Sequence, residues 1–275
     1  MIRLVAVDLD DTLLDHSLKI SPRAKAAIQK AVDLGVTVTI ATGRMYCSAA
    51  PYAKELNLDV PLITYNGALI KSGVSGETLY HCPVDAASTS GILAACREHR
   101  WHVQLYWNDE LYVRERDEKA LAYERIAGVT AKPVGDALYS MNGEPTKILI
   151  MADPTEIPNI REYLAGKFSE SVSLAVSKPH YLEIVRKGIN KGKALDILAG
   201  RLGIQTSEVM AVGDSGNDLD MLAYAGWGVA MGNATEVVKQ AANAVTSAND
   251  ADGVAEAIEK YVICPTQGEG VQILK

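Results

Sequence analysis

The chain has 275 residues, of which 48% are hydrophobic and 22% are charged, and its formal charge at pH 7 is −7. This length accommodates one large domain or two of moderate size, and the acidic balance argues against nucleic acid or an anionic membrane surface as a partner. No apolar run approaches the ~20 residues of a membrane span, the N-terminus has no signal-peptide pattern, and the four scattered cysteines lack metal-ligand spacing, so we expect a cytoplasmic protein with reduced thiols.

The first part of the chain alternates strands and helices at the spacing of a parallel sheet. Strands rich in apolar and β-branched side chains are predicted over residues 4–7, 36–41 and 61–65. Between the first two, Ser21 and Pro22 mark the start of a helix that ends at Gly35. A second helix reaches about residue 56, and a hairpin follows over residues 68–84. This order predicts a doubly wound, Rossmann-like sheet.

The middle of the chain, residues 85–186, has a different pattern in which some strands are adjacent in sequence. Helices are predicted over residues 86–99, 119–127 and 154–168. Strands are predicted over residues 102–107, 110–114, 146–151, 172–176 and 181–185. This arrangement predicts an α+β insert built on a mainly antiparallel sheet.

The strand–helix alternation resumes after the insert. Strands are predicted over residues 209–213, 228–231 and 244–246, and helices over 191–202, 219–225, 234–241 and 251–261. The sequence therefore predicts an α/β protein with a core from residues 1–84 and 187–275 and an inserted domain over 85–186. Pro265, Gly268 and Gly270 predict a loosely held tail.

Polar side chains follow the predicted core strands at the point where each strand ends. Buried strands exclude carboxylates unless the strand end faces something polar, and ligands of parallel α/β sheets bind at the carboxyl ends of the strands. Carboxylates gathered there repel one another unless a cation lies between them, and oxygen ligands beside a phosphate site select Mg²⁺. A hydroxyl, a glycine amide and a lysine suit a phosphoryl group. The residues are Asp8, Asp10, Thr12, Thr42, Gly43, Lys191, Asp214 and Asp218.

Each of these signals has a structural alternative when it is taken singly. Thr42 and Gly43 could form an ordinary turn, and Lys191 could be a solvated residue at a helix start. Asp218 could simply stabilise a helix N-terminus. Asp214 is harder to explain structurally, because it directly follows an uninterrupted apolar strand. The functional interpretation depends on the joint occurrence of the clusters in this order.

Four segments, taken together, resemble the four motifs of the haloacid dehalogenase superfamily. They are Asp8-Leu-Asp-Asp-Thr-Leu-Leu14, Ala41-Thr-Gly-Arg44, Asn190-Lys-Gly-Lys-Ala-Leu195 and Gly213-Asp-Ser-Gly-Asn-Asp218. Two later segments, Val229-Ala-Met-Gly-Asn-Ala234 and Asp250-Ala-Asp-Gly-Val254, are similar to the Cof-type hydrolases of subfamily IIB. The resemblance covers about residues 2–261, and the insert between the second and third motifs is similar to the cap of that subfamily.

The resemblance implies a Mg²⁺-dependent phosphatase that acts through an aspartyl-phosphate. An insert over residues 85–186 that closes over the strand ends leaves room only for a compact leaving group, so we expect the substrate to be a small phosphorylated metabolite, such as a sugar phosphate. Asp8 would be the nucleophile, and Asp10 would protonate the leaving oxygen and then activate water. The metal would be held by the Asp8 carboxylate, the Asp10 backbone carbonyl and Asp214. Asp218 would either ligate the metal or hold the ligands in place without binding it. The implied phosphate-binding residues are Thr42, Gly43, Lys191 and Asn217, and the substrate contacts or structural neighbours are Arg44 and Asn66.

Two alternatives and one open question remain at this point. A phosphoacceptor signalling module also groups acids, a threonine and a lysine around an aspartate, but it lacks a large insert. A phosphomutase on the same scaffold would return the phosphoryl group to another hydroxyl instead of to water. The leaving group could be contacted by His180, Tyr181 and Glu183, which could equally well pack within the cap sheet.

Overall fold

The computed structural model describes residues 1–73 and 75–264, and its first part follows the predicted alternation. Helix α1 begins where expected, because the Ser21 hydroxyl accepts a hydrogen bond from the Ala24 amide at 3.0 Å and Pro22 occupies the first turn. The elements are β1 (Leu4–Val7), α1 (Pro22–Asp33), β2 (Thr37–Ile40), α2 (Tyr46–Glu55), β3 (Pro61–Thr64), β4 (Leu69–Ser72) and β5 (Thr78–His81).

The middle of the chain forms a six-stranded sheet of its own. Its elements are α3 (Ala86–His99), β6 (His102–Trp107), β7 (Glu110–Val113), α4 (Glu118–Ala127), β8 (Lys132–Pro133), β9 (Lys147–Met151), α5 (Ile157–Phe168), β10 (Val172–Lys178) and β11 (Tyr181–Arg186). The strands lie in the order β10-β11-β9-β6-β7-β8. All neighbouring strands are antiparallel except β7 and β8, which pair in parallel, and the two-residue β8 was not predicted from the sequence.

The last part of the chain returns to the first sheet and completes it. The elements are α6 (Lys191–Leu202), β12 (Val209–Gly213), α7 (Leu219–Tyr224), β13 (Trp227–Ala230), α8 (Glu236–Ala241), β14 (Ala244–Val245) and α9 (Gly253–Ile258). The sheet has the order β14-β13-β12-β1-β2, and all its strands are parallel. A single parallel bridge between Ala41 and Ile63 joins β2 to β3, which pairs with the β4–β5 hairpin.

The central position of β1 determines where polar side chains meet. Val7 pairs with Ile40 on one side and with Val212 on the other, so three strands end at the same level. A carboxylate within these buried strands would be costly, and β1 contains only apolar residues. The first acidic residue, Asp8, comes directly after Val7, the last paired residue of β1. The carboxyl edge of this sheet is therefore the place where the first, second and fourth motifs meet.

The predicted fold class is confirmed: a parallel α/β core accompanies a mainly antiparallel α+β region. The division into residues 1–84 with 187–275 and 85–186 stays a prediction, although the strands of the middle region pair only with one another in the described residues. The predicted loose tail lies outside the described residues. Among the helices that the structure describes, none has both the length and the apolar character that crossing a membrane requires.

Candidate active site

Asp8 and Asp10 lie in a tight turn that begins where β1 ends. The turn spans Leu9–Leu13, and within it Asp11 adopts a left-handed backbone conformation with φ of 58°. The Asn233 side chain donates to the Asp11 carbonyl at 2.7 Å and so ties this turn to the segment that follows β13. Asp8 is 4% exposed, whereas the Asp10 side chain is 30% exposed. The two carboxylates therefore occupy different environments although they are two residues apart.

Lys191 places its ammonium group between two buried carboxylates. Its Nζ atom lies 2.6 Å from Asp8 Oδ1 and 2.6 Å from Asp218 Oδ1, and its side chain is fully buried. Helix α6 presents the lysine in its first turn because Asn190 caps the helix, accepting from the Lys193 amide at 2.7 Å. Burial alone would lower the pKa of Lys191, but the charges of Asp218 and Asp8 raise it, so the lysine is a permanent cation.

Asp8, Asp214 and Asp218 form a compact acidic cluster. One carboxylate oxygen from each lies within 4.8 Å of the other two. Thr12 donates to Asp214 at 2.6 Å, so this hydroxyl orients one member of the cluster. The backbone amides of Asp214 and Ser215 each donate to Asp218 Oδ2 at 3.0 Å, which fixes a second.

One lysine does not neutralise three carboxylates. Burial raises the pKa of Asp8 well above its usual range, and the charges of the neighbouring aspartates act in the same direction. The charge of Lys191 opposes this shift. Burial and the charge of Asp218 likewise raise the pKa of Asp214 to about 7, although the hydrogen bond from Thr12 acts in the other direction. The cluster therefore carries an excess of negative charge that protons or a cation must relieve.

Asp10 is held by a bidentate interaction with Arg44. The guanidinium Nε and Nη2 atoms lie 2.9 Å and 2.6 Å from the two carboxylate oxygens of Asp10. Burial alone would raise the pKa of Asp10, but the hydrogen bonds and charge of Arg44, with smaller contributions from Lys178 and Lys191, lower it. In this arrangement Asp10 is an anion.

The second motif is fixed by backbone hydrogen bonds to the loop after β3. The amides of Tyr65 and Asn66 donate to the carbonyls of Arg44 and Thr42 at 2.9 Å and 3.0 Å. Tyr65, Asn66 and Gly67 all have positive φ, of 53°, 56° and 98°. A Cβ atom at Gly67 would lie 2.3 Å from the carbonyl oxygen of Asn190, so this glycine allows α6 to approach the loop. The second and third motifs are thereby held together.

A buried hydrogen-bond network joins the core to the inserted region. Glu183 accepts hydrogen bonds from Asn66 Nδ2, from the Ser177 hydroxyl at 2.7 Å and from Lys147 Nζ at 3.4 Å. Lys147 also donates to the carbonyl of Gly43 at 2.8 Å. A further bond of 3.0 Å, from the Asn217 amide to Asn66 Oδ1, extends the network to the fourth motif. Sequence reasoning missed Lys147 and Ser177; the available signal was a lysine at the start of the otherwise apolar β9.

A second contact between the two regions lies at the β6–β7 turn. Asp109 in this turn accepts from the Cys47 amide at 2.9 Å, near the N-terminus of α2, and from the Tyr65 hydroxyl at 2.7 Å. A carboxylate is favoured at a helix N-terminus, so the turn caps a helix of the other region. This contact also fixes Tyr65, whose backbone helps to hold the second motif.

A cavity of about 120 Å³ lies between the two regions. Asp8, Asp10, Gly43, Arg44, Asp214 and Asn217 line it from the core, and Tyr123, Lys147, Ser177, Lys178, Tyr181 and Glu183 line it from the insert. Four predicted site residues do not line the cavity but form hydrogen bonds with residues that do: Thr42, Asn66, Lys191 and Asp218. His180 does not line the cavity. A larger cavity of about 390 Å³, beside Arg97 and Arg100, contains none of the predicted site residues.

Comparisons with known proteins agree with this geometry. A sequence model of the haloacid dehalogenase-like hydrolases matches residues 5–258. The 5-amino-6-(5-phospho-D-ribitylamino)uracil phosphatase of Bacillus subtilis (strain 168) is 32% identical over 262 residues, which cover 94% of this chain and 97% of that protein.

Two solved structures resemble this one closely. A haloacid dehalogenase-like hydrolase from Bacteroides thetaiotaomicron superposes with a TM-score of 0.87 at 30% identity, covering 94% of this chain and 99% of that chain. A sugar phosphatase of haloacid dehalogenase subclass IIB superposes with a TM-score of 0.84 at 26% identity, covering 94% and 98% of the two chains.

Proposed function

The chain belongs to the haloacid dehalogenase-like hydrolases, in their Cof-type subclass IIB, and is a phosphoric monoester hydrolase. From this premise we propose that it is a Mg²⁺-dependent phosphatase that hydrolyses a small phosphorylated metabolite through a phosphoryl intermediate on Asp8. The observation that carries the proposal is the convergence of Asp8 and Lys191 with the acidic cluster at the carboxyl edge of the parallel sheet.

The acidic cluster suits Mg²⁺ as its cation. Its donors are carboxylate oxygens, which hard divalent cations prefer. Burial, together with repulsion among the aspartates, raises the pKa values of Asp8 and Asp214, and a cation would relieve that repulsion. Asp8, Asp214 and Asp218 would hold the ion, with the Asp10 backbone carbonyl as a further ligand. When bound, the metal would neutralise charge on the phosphoryl oxygens.

The two leading aspartates would carry the covalent steps. One oxygen of Asp8 bonds to Lys191, and the other accepts no hydrogen bond within residues 1–73 and 75–264, so it is free to attack phosphorus. As the bond from Asp8 to phosphorus forms, the ester bond breaks and the leaving oxygen takes a proton from Asp10. Water then attacks the phosphorus while Asp10 takes a proton from it. The bond between phosphorus and Asp8 breaks, which restores the Asp8 carboxylate and releases inorganic phosphate.

The bidentate contact of Arg44 bears on the order of these steps. An anionic Asp10 is suited to take the proton from water, whereas the first step needs Asp10 to carry a proton. We expect the bound phosphate to draw Arg44 away from Asp10, which would let the pKa of Asp10 rise because burial then acts unopposed by Arg44. Lys191, Thr42, the Gly43 amide and Asn217 would bind the remaining phosphate oxygens.

The size of the cavity favours a compact substrate. Its volume of about 120 Å³ is below the usual range for small-molecule sites, and residues of the insert close it on one side. A phosphoprotein would not reach Asp8 without displacing this insert. The substrates named for the B. subtilis relative and for the subclass IIB sugar phosphatase are small phosphorylated metabolites, which supports the same substrate class here.

A phosphate-release screen tests the proposal. The purified protein should release inorganic phosphate from p-nitrophenyl phosphate and from some members of a panel of sugar phosphates, nucleotides, cofactors and phosphopeptides. Excess EDTA should abolish release, added Mg²⁺ should restore it, and Asp8→Asn should be inactive with and without the metal. Full turnover in EDTA, or selective turnover of phosphopeptides, would contradict the proposal. Transfer of the phosphoryl group to a second hydroxyl without phosphate release would instead identify a phosphomutase.

A further inference from the structure

The hairpin of β10 and β11 contains one extra residue at its tip. Val176 pairs with Leu182, but the next pair is Lys178 with Tyr181, so Ser177 has no partner in the ladder. Such a bulge shifts the alternation of side chains by one position in the strand that carries it. In a regular ladder, Ser177 would pair with Tyr181 and Lys178 would point to the opposite face of the sheet.

The bulge directs Lys178 toward the catalytic cavity. Tyr181 and Glu183 are two residues apart on β11, so they share a face, and Lys178 lies opposite Tyr181 on that same face. Lys178, Tyr181 and Glu183 all line the cavity of about 120 Å³. Ser177 lines it as well and donates to Glu183, so the extra residue is itself tied to the cavity wall.

Lys178 differs from the other cations of this site in having no acidic partner. Arg44 is paired with Asp10, Lys147 with Glu183, and Lys191 with Asp8 and Asp218. Within the described part of the chain, the Lys178 ammonium makes neither an ion pair nor a hydrogen bond, and its side chain is only partly exposed. Burial alone would raise the pKa of Asp10, but Arg44 and, to a smaller extent, the charge of Lys178 lower it. An unpaired cation from the insert therefore lines the same cavity as Asp8 and Asp10.

We propose that Lys178 is a specificity residue that binds a second anionic group, a carboxylate or another phosphoryl group, on the leaving group of the substrate. This inference rests on the phosphatase function proposed above. The small cavity requires that the second anion lie within a few bonds of the scissile oxygen. A charge-assisted hydrogen bond from Lys178 to that anion is worth about 10- to 100-fold in kcat/KM over an uncharged counterpart of the same size.

The test compares matched substrate pairs that differ mainly in the second anion. The pairs are 3-phosphoglycerate with glycerol 3-phosphate, 6-phosphogluconate with glucose 6-phosphate, and fructose 1,6-bisphosphate with fructose 6-phosphate. The first two pairs probe a carboxylate and the third a phosphoryl group. For each pair, kcat/KM is measured for the wild type, Lys178→Met, Lys178→Arg and Lys187→Met. Lys187 is an exposed lysine that directly follows the hairpin and lies outside the cavity. Where turnover is too slow, inhibition of p-nitrophenyl phosphate hydrolysis by both members gives the same comparison.

The wild type and Lys187→Met should favour the member with the second anion in at least one pair, by about tenfold or more. Lys178→Met should remove that preference, and Lys178→Arg should retain part of it. Equal losses on both members in Lys178→Met, or a wild type that favours the member with the second anion in none of the pairs, would overturn the proposal. Absence of p-nitrophenyl phosphate hydrolysis by the wild type would contradict the phosphatase function itself, so the two failures are distinguishable.

Discussion

Replacement of Lys191 by methionine tests the electrostatic balance of the site most severely. Methionine keeps much of the side-chain length but leaves Asp8 and Asp218, which are 4% and 0% exposed, without the ammonium that lies 2.6 Å from each. Removing one partner of a buried ion pair typically costs about 3–5 kcal/mol, because the remaining charge stays buried. We expect the free energy of unfolding at neutral pH to fall by about that amount in metal-free buffer.

The loss of stability should depend on pH with a definite sign. Burial already raises the pKa of Asp8 in the folded state, and the loss of the Lys191 charge, which lowers it, raises that pKa further above its value in the unfolded chain. The unfolded state then ionises first as the pH increases, so the destabilisation should be small near pH 4 and grow toward pH 8. Urea unfolding at several pH values, with EDTA present, measures this. Lys193→Met is the matched control, since Lys193 is exposed and two residues along the same helix.

A divalent cation should compensate for the missing ammonium. Removing a positive charge beside the acidic cluster strengthens its attraction for Mg²⁺, so calorimetric titration at pH 8 should give tighter binding to Lys191→Met than to the wild type. At a concentration 100 times the dissociation constant, the metal should restore about 2.7 kcal/mol of stability, while turnover stays lost because the phosphate lacks its lysine. Weaker Mg²⁺ binding in the variant, or destabilisation no larger than in Lys193→Met, would refute the reasoning.

Three further predictions follow from individual contacts. Asp10→Asn should slow turnover by about 10²- to 10⁴-fold, with a smaller effect on the first step for p-nitrophenyl phosphate than for alkyl phosphates, as rapid-quench kinetics would reveal; equal slowing on both would be inconsistent with proton donation. Burial raises the pKa of Asp214 to about 7, so a proton competes with the metal for this carboxylate below that pH. Mg²⁺ affinity measured by calorimetry should therefore fall by up to about tenfold for each pH unit below 7. An affinity that does not change from pH 6 to 8 would contradict this. Gly67→Ala should destabilise the protein by about 1–3 kcal/mol more than Gly35→Ala in urea, because both glycines have positive φ but only a Cβ at Gly67 would meet Asn190, at 2.3 Å; equal effects would show that the close approach is unimportant.

The grouping of polar residues at the sheet edge could be anticipated from sequence because it depends on local patterns. Asp8 and Asp214 each follow an apolar strand, and parallel strands place their ends at one edge whatever the rest of the chain does. Lys191 opens a helix whose start is marked by the capping Asn190. The structure brings Asp8, Asp214 and Lys191 together as these signals predict, while their catalytic roles stay predictions.

The contacts across the cavity could not be anticipated in the same way. Glu183 meets Asn66 although 117 residues separate them, and this contact depends on how the insert packs on the core. The sequence prediction ended β10 at residue 176, whereas the strand continues to Lys178 through a bulge that no local signal marked. The pairing of Arg44 with Asp10 likewise depends on two loops that approach each other only in the folded sheet.

The most direct test of the central claim is a single-turnover experiment that looks for phosphate on Asp8. ³²P-labelled p-nitrophenyl phosphate, whose leaving group needs little protonation, is mixed with excess wild-type protein or Asp10→Asn in Mg²⁺ buffer. The reaction is quenched with acid, and the protein is digested and mapped. We predict labelling of the peptide that contains Asp8, in a larger amount in Asp10→Asn because the intermediate then loses its general base, and conversion of residue 8 to homoserine by borohydride. Phosphate release with no labelled protein at any time point, or label on a residue other than Asp8, would contradict the account.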